Sequence, residues 1–146
     1  MTAPIHLNNN QIIDLAPAAG SFEPMDGVSS KYSFIPTMTA VDLLRDAGWF
    51  PIDATQSSVR IAAREGYQKH MIRFAKNGLS FDGERVDLVL YNSHDRGCAF
   101  RLIASVWRKW GAPHFLHYVE RYKMVSNDSN PAKQLDRSSI HSPFYC

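Results

Sequence analysis

Three apolar stretches of strand length, separated by only a few turn-forming residues, constrain this chain more than any other feature. They are "YQKHMIRFAKNG" (67–78), "VDLVLYNS" (86–93) and "CAFRLIASVW" (98–107). Parallel neighbours need a crossover of a dozen or more residues, and these connectors are shorter, so the strands must run antiparallel. Asn77-Gly78 and Asp82-Gly83 supply turn signals between the first two. Upstream, "FPIDATQSSV" (50–59) reads as a further strand, and "RIAAREG" (60–66) as a loop or hairpin tip. In "KYSFIPT" (31–37), Tyr32, Phe34 and Pro36 share a strand-like face that Pro36 terminates.

One helix precedes the strands. In "TMTAVDLLRDAGW" (37–49), Thr39 is the expected N-cap, with Asp42 near the positive end of the helix dipole. Ala40, Val41 and Leu44, with Leu43 or Ala47, supply the buried stripe, and Gly48 stops the helix. Past Gly111, "HFLHYVERYKMV" (114–125) places Phe115, Val119 and Tyr122 at helical spacing. The expected fold is α+β: a four- to five-stranded antiparallel meander, a helix packed on one face, and a second, C-terminal helix. Residues 1–30, rich in Ala, Pro, Asn, Gly and Ser, read as a flexible N-terminal arm whose one apolar piece is Ile12, Ile13 and Leu15. Residues 31–125 form a single domain, and 126–146 a loosely ordered tail. The 146 residues suit one core without staples.

No apolar run approaches the roughly 18 residues of a membrane span, and the N-terminus lacks the basic start and apolar core of a secretory signal. A cytoplasmic protein is expected, with Cys98 and Cys146 as free thiols in a reducing compartment.

The polar knot "NSHDRG" (92–97) brings Ser93, His94 and Asp95 together in sequence. Consecutive residues splay apart, whereas a nucleophile, its base and an orienting acid must converge in space. Ser93 also lacks the G-x-S-x-G frame of a nucleophile elbow. A structural turn accounts for these residues better, since Asn, Ser and Asp bond their own backbone and Gly97 permits reversal. His114 and His117 form H-x-x-H without a convincing third ligand, so no metal is expected. His70 reads as a packed or surface histidine. No glycine-rich phosphate loop is present, so no cofactor is expected and the chain reads as a non-enzyme.

The strongest binding signal is basic charge interleaved with aromatics. Net charge is only +2. Yet residues 60–76 hold Arg60, Arg64, Lys69, Arg73 and Lys76 against Glu65 alone. Arg101 lies two strands on, and Arg108 and Lys109 sit between Trp107 and Trp110. Such a surface suits a phosphate backbone with stacked bases. Lys69 and Arg73 are expected on one solvated strand face, where charge reversal would cost folding little.

In order, "YSFIPT", "LLRDAGWFPIDATQSSVR", "YQKHMIRFAK" and "VDLVLYNSHDRGCAFRLIA" resemble the phage- and plasmid-like family called domain of unknown function 932, over about residues 31–106. In that family the strand ending "FRLIA" runs into further domain sequence. "SVWRKWGAPHFLHYVERYKMV" differs, so the chain resembles a shortened member with a replaced C-terminus. "DAGW" followed by "FPIDATQSSV" is more weakly similar to single-strand annealing recombinases. These resemblances imply a binding protein of a mobile element that contacts nucleic acid or a nucleoprotein, alone or as a homo-oligomer. The alternative they leave is a small inhibitor of a host defence complex, of the anti-CRISPR kind.

Overall fold

The computed structural model describes residues 4–29, 31–107 and 121–122. Helix α1 (Asn9–Leu15) and a short 3-10 turn (Pro17–Gly20) precede helix α2 (Thr37–Asp46). Strands β1 (Phe50–Gln56), β2 (His70–Phe81), β3 (Glu84–Asn92) and β4 (Arg101–Trp107) then form an antiparallel meander in sequence order. The two residues of β5 (Arg121–Tyr122) pair with Ile103 and Leu102 at the β4 edge. The architecture is α+β, with the helices on one face of the sheet.

Alternation along the strands puts Ala54, Ile72, Phe74 and Leu90 on the face that meets the helices. Met38, Ala40 and Val41 of α2 close over them. The helix ends as its sequence predicts. Gly48 adopts φ +85°, its N–H bonds the Arg45 carbonyl at 2.9 Å, and Trp49 N–H bonds the Leu44 carbonyl at 2.8 Å. These two bonds are a Schellman stop, which satisfies the last carbonyls of the helix.

Several expectations shift. Residues 31–37 form no strand; Pro36 has no N–H to give a ladder and instead takes the N-cap position of α2. The helix begins at Thr37 rather than after Thr39, because the Thr37 hydroxyl is drawn inward to a buried histidine. Leu43 stays 57% exposed, outside the buried stripe. Asn77-Gly78 is not a turn. β2 runs through it, the register slips between Ala75 and Ser80, and Gly78 at φ +76° absorbs the irregularity. The reversal falls at Asp82-Gly83, where φ values of 52° and 74° fit a two-residue type I′ hairpin.

The segment expected as an arm carries structure. Asn8 and Gln11 form a reciprocal capping box at 2.9 and 2.8 Å, which starts α1. Ile12, Ala16 and Ala19 are fully buried in the common core. The guanidinium of Arg45 on α2 donates to Asn9 Oδ1 and, at 3.1 Å, to the Leu7 carbonyl. Ile13 and Leu15 remain at the surface. Cys98 is buried and disulfide-bonded, which replaces the free thiol expected there. The helix expected over 114–125 lies outside the described residues except at Arg121 and Tyr122, which are extended. Among the described residues no helix is long and apolar enough to cross a membrane.

Candidate functional site

The polar knot is built into the interior. Asn92, Ser93 and His94 are 3%, 0% and 0% exposed. Ser93 Oγ accepts from Cys98 N–H at 2.8 Å and donates to the Cys98 carbonyl at 3.1 Å, closing the turn. The hydroxyl is thus committed to backbone. Asp95 Oδ1 accepts from Gly97 N–H, a local turn bond.

His94 faces a second buried histidine. His70, on β2, stands directly across from Asn92 on β3. Thr37, the first residue of α2, joins the two rings. His70 Nδ1 lies 2.9 Å from the Gln68 carbonyl and so carries its proton there. His70 Nε2 then accepts from the Thr37 hydroxyl at 2.6 Å. Thr37 Oγ1 in turn accepts from Asn92 Nδ2 at 3.0 Å and from His94 Nε2–H at a longer 3.4 Å. Asn92 also donates to the Ile35 carbonyl at 2.9 Å. With Nε2 donating, His94 Nδ1 is a buried acceptor that no described protein group reaches. Burial pulls the His94 imidazole down to about 4, with His70 adding to the shift and Asp95 opposing it. Burial likewise lowers His70, against its bond to the Gln68 carbonyl and the nearby Asp95. Both rings are neutral at pH 7. The network ties the start of α2 to the ends of β2 and β3, a positioning role for polar groups that are almost all satisfied.

The basic residues divide into two groups. Arg73 and Lys76 are engaged by the fold. Arg73 Nε lies 3.6 Å from Asp87, whose side chain is fully buried and also takes two bonds from Arg85 at 2.7 and 3.0 Å. The registers place Arg73 diagonally across from Asp87. Burial raises the Asp87 carboxyl, while the bond to Arg85 and the charges of Arg85 and Arg73 oppose the rise. Arg73 is thus not a solvated charge, and its reversal would face a buried carboxylate. Lys76 Nζ donates to the Ala47 carbonyl at 3.2 Å, at the negative end of α2, and sits 5.9 Å from the centre of the Trp49 ring.

Arg60 and Arg64 are exposed on the β1–β2 loop, with Arg64 3.9 Å from Asp95. Lys69 precedes β2 and is half-buried, and Arg101 opens β4 opposite Tyr91. Trp107 ends β4 opposite Arg85. Arg108, Lys109, Trp110, His114 and His117 lie outside the described residues. Among the described residues no three or more His, Cys, Asp or Glu gather as metal ligands.

Sequence reasoning missed Thr37 as the hub of this network. It also left His70 undecided, although His70 is in phase with the core residues Ile72 and Phe74, as Asn92 is with Leu88 and Leu90. That phase was the available signal.

Residues 24–109 match a family described as "Domain of unknown function (DUF932)". Over 102 residues the chain is 28% identical to the UPF0380 protein YafZ of Escherichia coli (strain K12), and equally to the UPF0380 protein YfjQ of the same organism. Each alignment takes in 70% of this chain and 37% of the relative, so the match spans little more than a third of those proteins. No solved structure matches the chain.

Proposed function

The chain belongs to the family of the domain of unknown function DUF932, and on that footing we propose that it is a non-enzymatic binding protein of a mobile element, acting in the bacterial cytoplasm on nucleic acid or a nucleoprotein. The observation that carries this reading is the pair of exposed arginines, Arg60 and Arg64, in a loop with one acid, Glu65. Guanidinium groups pair with phosphate in two-pronged geometry and stay charged at every physiological pH. The candidate acid–base groups favour binding over catalysis: Ser93 is spent on backbone, and His70, Thr37 and His94 are buried and bonded mainly to one another.

The test is anisotropy of a fluorescent single-stranded oligonucleotide titrated with the protein. A phosphate-dominated complex loses affinity steeply between about 50 and 200 mM salt. Absence of binding at the low-salt end defeats the reading.

A second reading is inhibition of a host defence complex by protein–protein contact. It is favoured by Ile61, which is 56% exposed beside Arg60. Exposed apolar area next to charge is the composition of a protein interface with a polar rim. A complex of this kind, assayed with a purified CRISPR effector, would survive salt that strips DNA, its salt dependence confined mostly to the on-rate.

A further inference from the structure

The antiparallel registers gather four chain segments at one end of the sheet. β1 and β3 finish there, and β2 and β4 begin there. Two loops therefore meet at this end: residues 57–69 and residues 93–100. They are joined backbone to backbone, since His94 N–H bonds the Tyr67 carbonyl at 2.8 Å. A third segment docks on the same turn. Met25 N–H bonds the His94 carbonyl at 2.9 Å, and the Tyr32 hydroxyl donates to the Ser93 carbonyl at 2.9 Å.

The charge on these segments is lopsided. Residues 25–32, 57–69 and 93–100 carry Lys31, Arg60, Arg64, Lys69 and Arg96 against Asp26, Glu65 and Asp95. Asp95 is bonded to Gly97 N–H and lies 3.9 Å from Arg64, so it offsets part of that arginine's charge, and its own side chain is only 6% exposed. Lys31, Arg60, Arg64 and Arg96 are all exposed. Arg96 is held at φ +63°, in the left-handed region that non-glycine residues seldom adopt. The β2–β3 hairpin at the opposite end carries Asp82 and Glu84 with Arg85, and Arg85 is bound to Asp87. Tyr32 and Tyr67, both half-buried, stand among the cations with the exposed Ile61.

We infer that the binding surface is this loop end of the sheet, centred on Arg60, Arg64 and Arg96, and that it takes the phosphate backbone of a single-stranded nucleic acid. Exposed cations around aromatic and apolar side chains suit a strand whose bases are free to stack. The inference rests on the nucleic-acid reading above, and it relocates the contact from the strand face, where Arg73 is held by Asp87, to the loops.

The experiment compares two variants of equal charge change by anisotropy with a fluorescent oligothymidine strand across a salt series. Arg60→Gln with Arg96→Asn removes two charges at the loop end, and asparagine tolerates the left-handed backbone. Lys76→Glu changes the net charge by the same amount at the α2 end. Thermal melts establish that each is folded; Lys31→Gln with Arg60→Gln replaces the first should it not fold. The inference expects the loop variant to weaken binding at least tenfold at low salt. Its log–log salt slope should become shallower by about two, one for each phosphate that the variant no longer neutralises. Lys76→Glu should stay within twofold of the parent. Equal weakening by both variants overturns the loop surface while leaving nucleic-acid binding intact. A parent protein that does not bind the strand overturns the reading and the surface together.

Discussion

At the scale of single residues, burial separates polar groups that look alike in sequence. Ser93 has both bonding directions occupied by Cys98 backbone groups in a fully buried turn. Ser93→Ala leaves a buried N–H and C=O unpaired, and each such group costs about 1–3 kcal/mol. Equilibrium urea unfolding should therefore show a clear fall in the midpoint with an unchanged slope; a variant as stable as the parent would mean that the turn is held by something else. The arginines diverge for the same reason. Arg73→Glu would set a carboxylate against buried Asp87, a loss on the scale of a broken buried ion pair, about 3–5 kcal/mol. Arg60→Glu, on an exposed loop position, should stay within about 0.5 kcal/mol. Similar unfolding midpoints for the two would contradict the buried Arg73–Asp87–Arg85 arrangement.

At the scale of elements, the N-terminal helix is the part whose role packing decides. α1 has only seven residues, too short to persist alone, and its capping box and Arg45 contacts are local help. Its anchor is Ile12, fully buried between the helices and the sheet. Ile12→Ala should cost about 2–5 kcal/mol, as a buried large-to-small change does. Leu15→Ala, at a half-exposed position of the same helix, should cost under about 1 kcal/mol. Thermal melts of the two variants side by side distinguish a docked helix from a loose arm, for which both would be silent.

At the scale of the whole molecule, the paired histidines make stability depend on pH. Both folded-state values lie below the ordinary 6.5, His94 at about 4. Between these values the unfolded chain binds protons that the folded chain refuses, so stability falls as pH falls through this window. For His94 alone the loss by the bottom of the window is about 3 kcal/mol. Urea midpoints measured from pH 7 to pH 5 should drop, and His94→Gln should flatten the decline relative to the parent. A parent curve that is level over this range, or a variant that falls as steeply, would show that His94 is not a buried neutral ring.

The meander, the place of α2 and its stop at Gly48 were legible in the sequence because they rest on local physics: strand alternation, connectors too short for a crossover, and a glycine free to adopt positive φ. The turn at 92–97 was legible for the same reason. Tertiary structure alone decided the rest. The Asn77-Gly78 pair has the local chemistry of a turn, yet pairing with β3 carried β2 straight past it. Ile12 sits among polar and small residues that suggest an arm, and only the sheet beneath makes its burial favourable. Arg73 and Arg60 are equivalent in a composition count, but Asp87 lies fourteen positions from one along the chain and becomes its neighbour only across the strands. Thr37, His70 and His94 share no sequence motif. Their hydrogen bonds exist because α2, β2 and the turn after β3 meet in a space without water, where each polar group must find a partner that no local pattern can name.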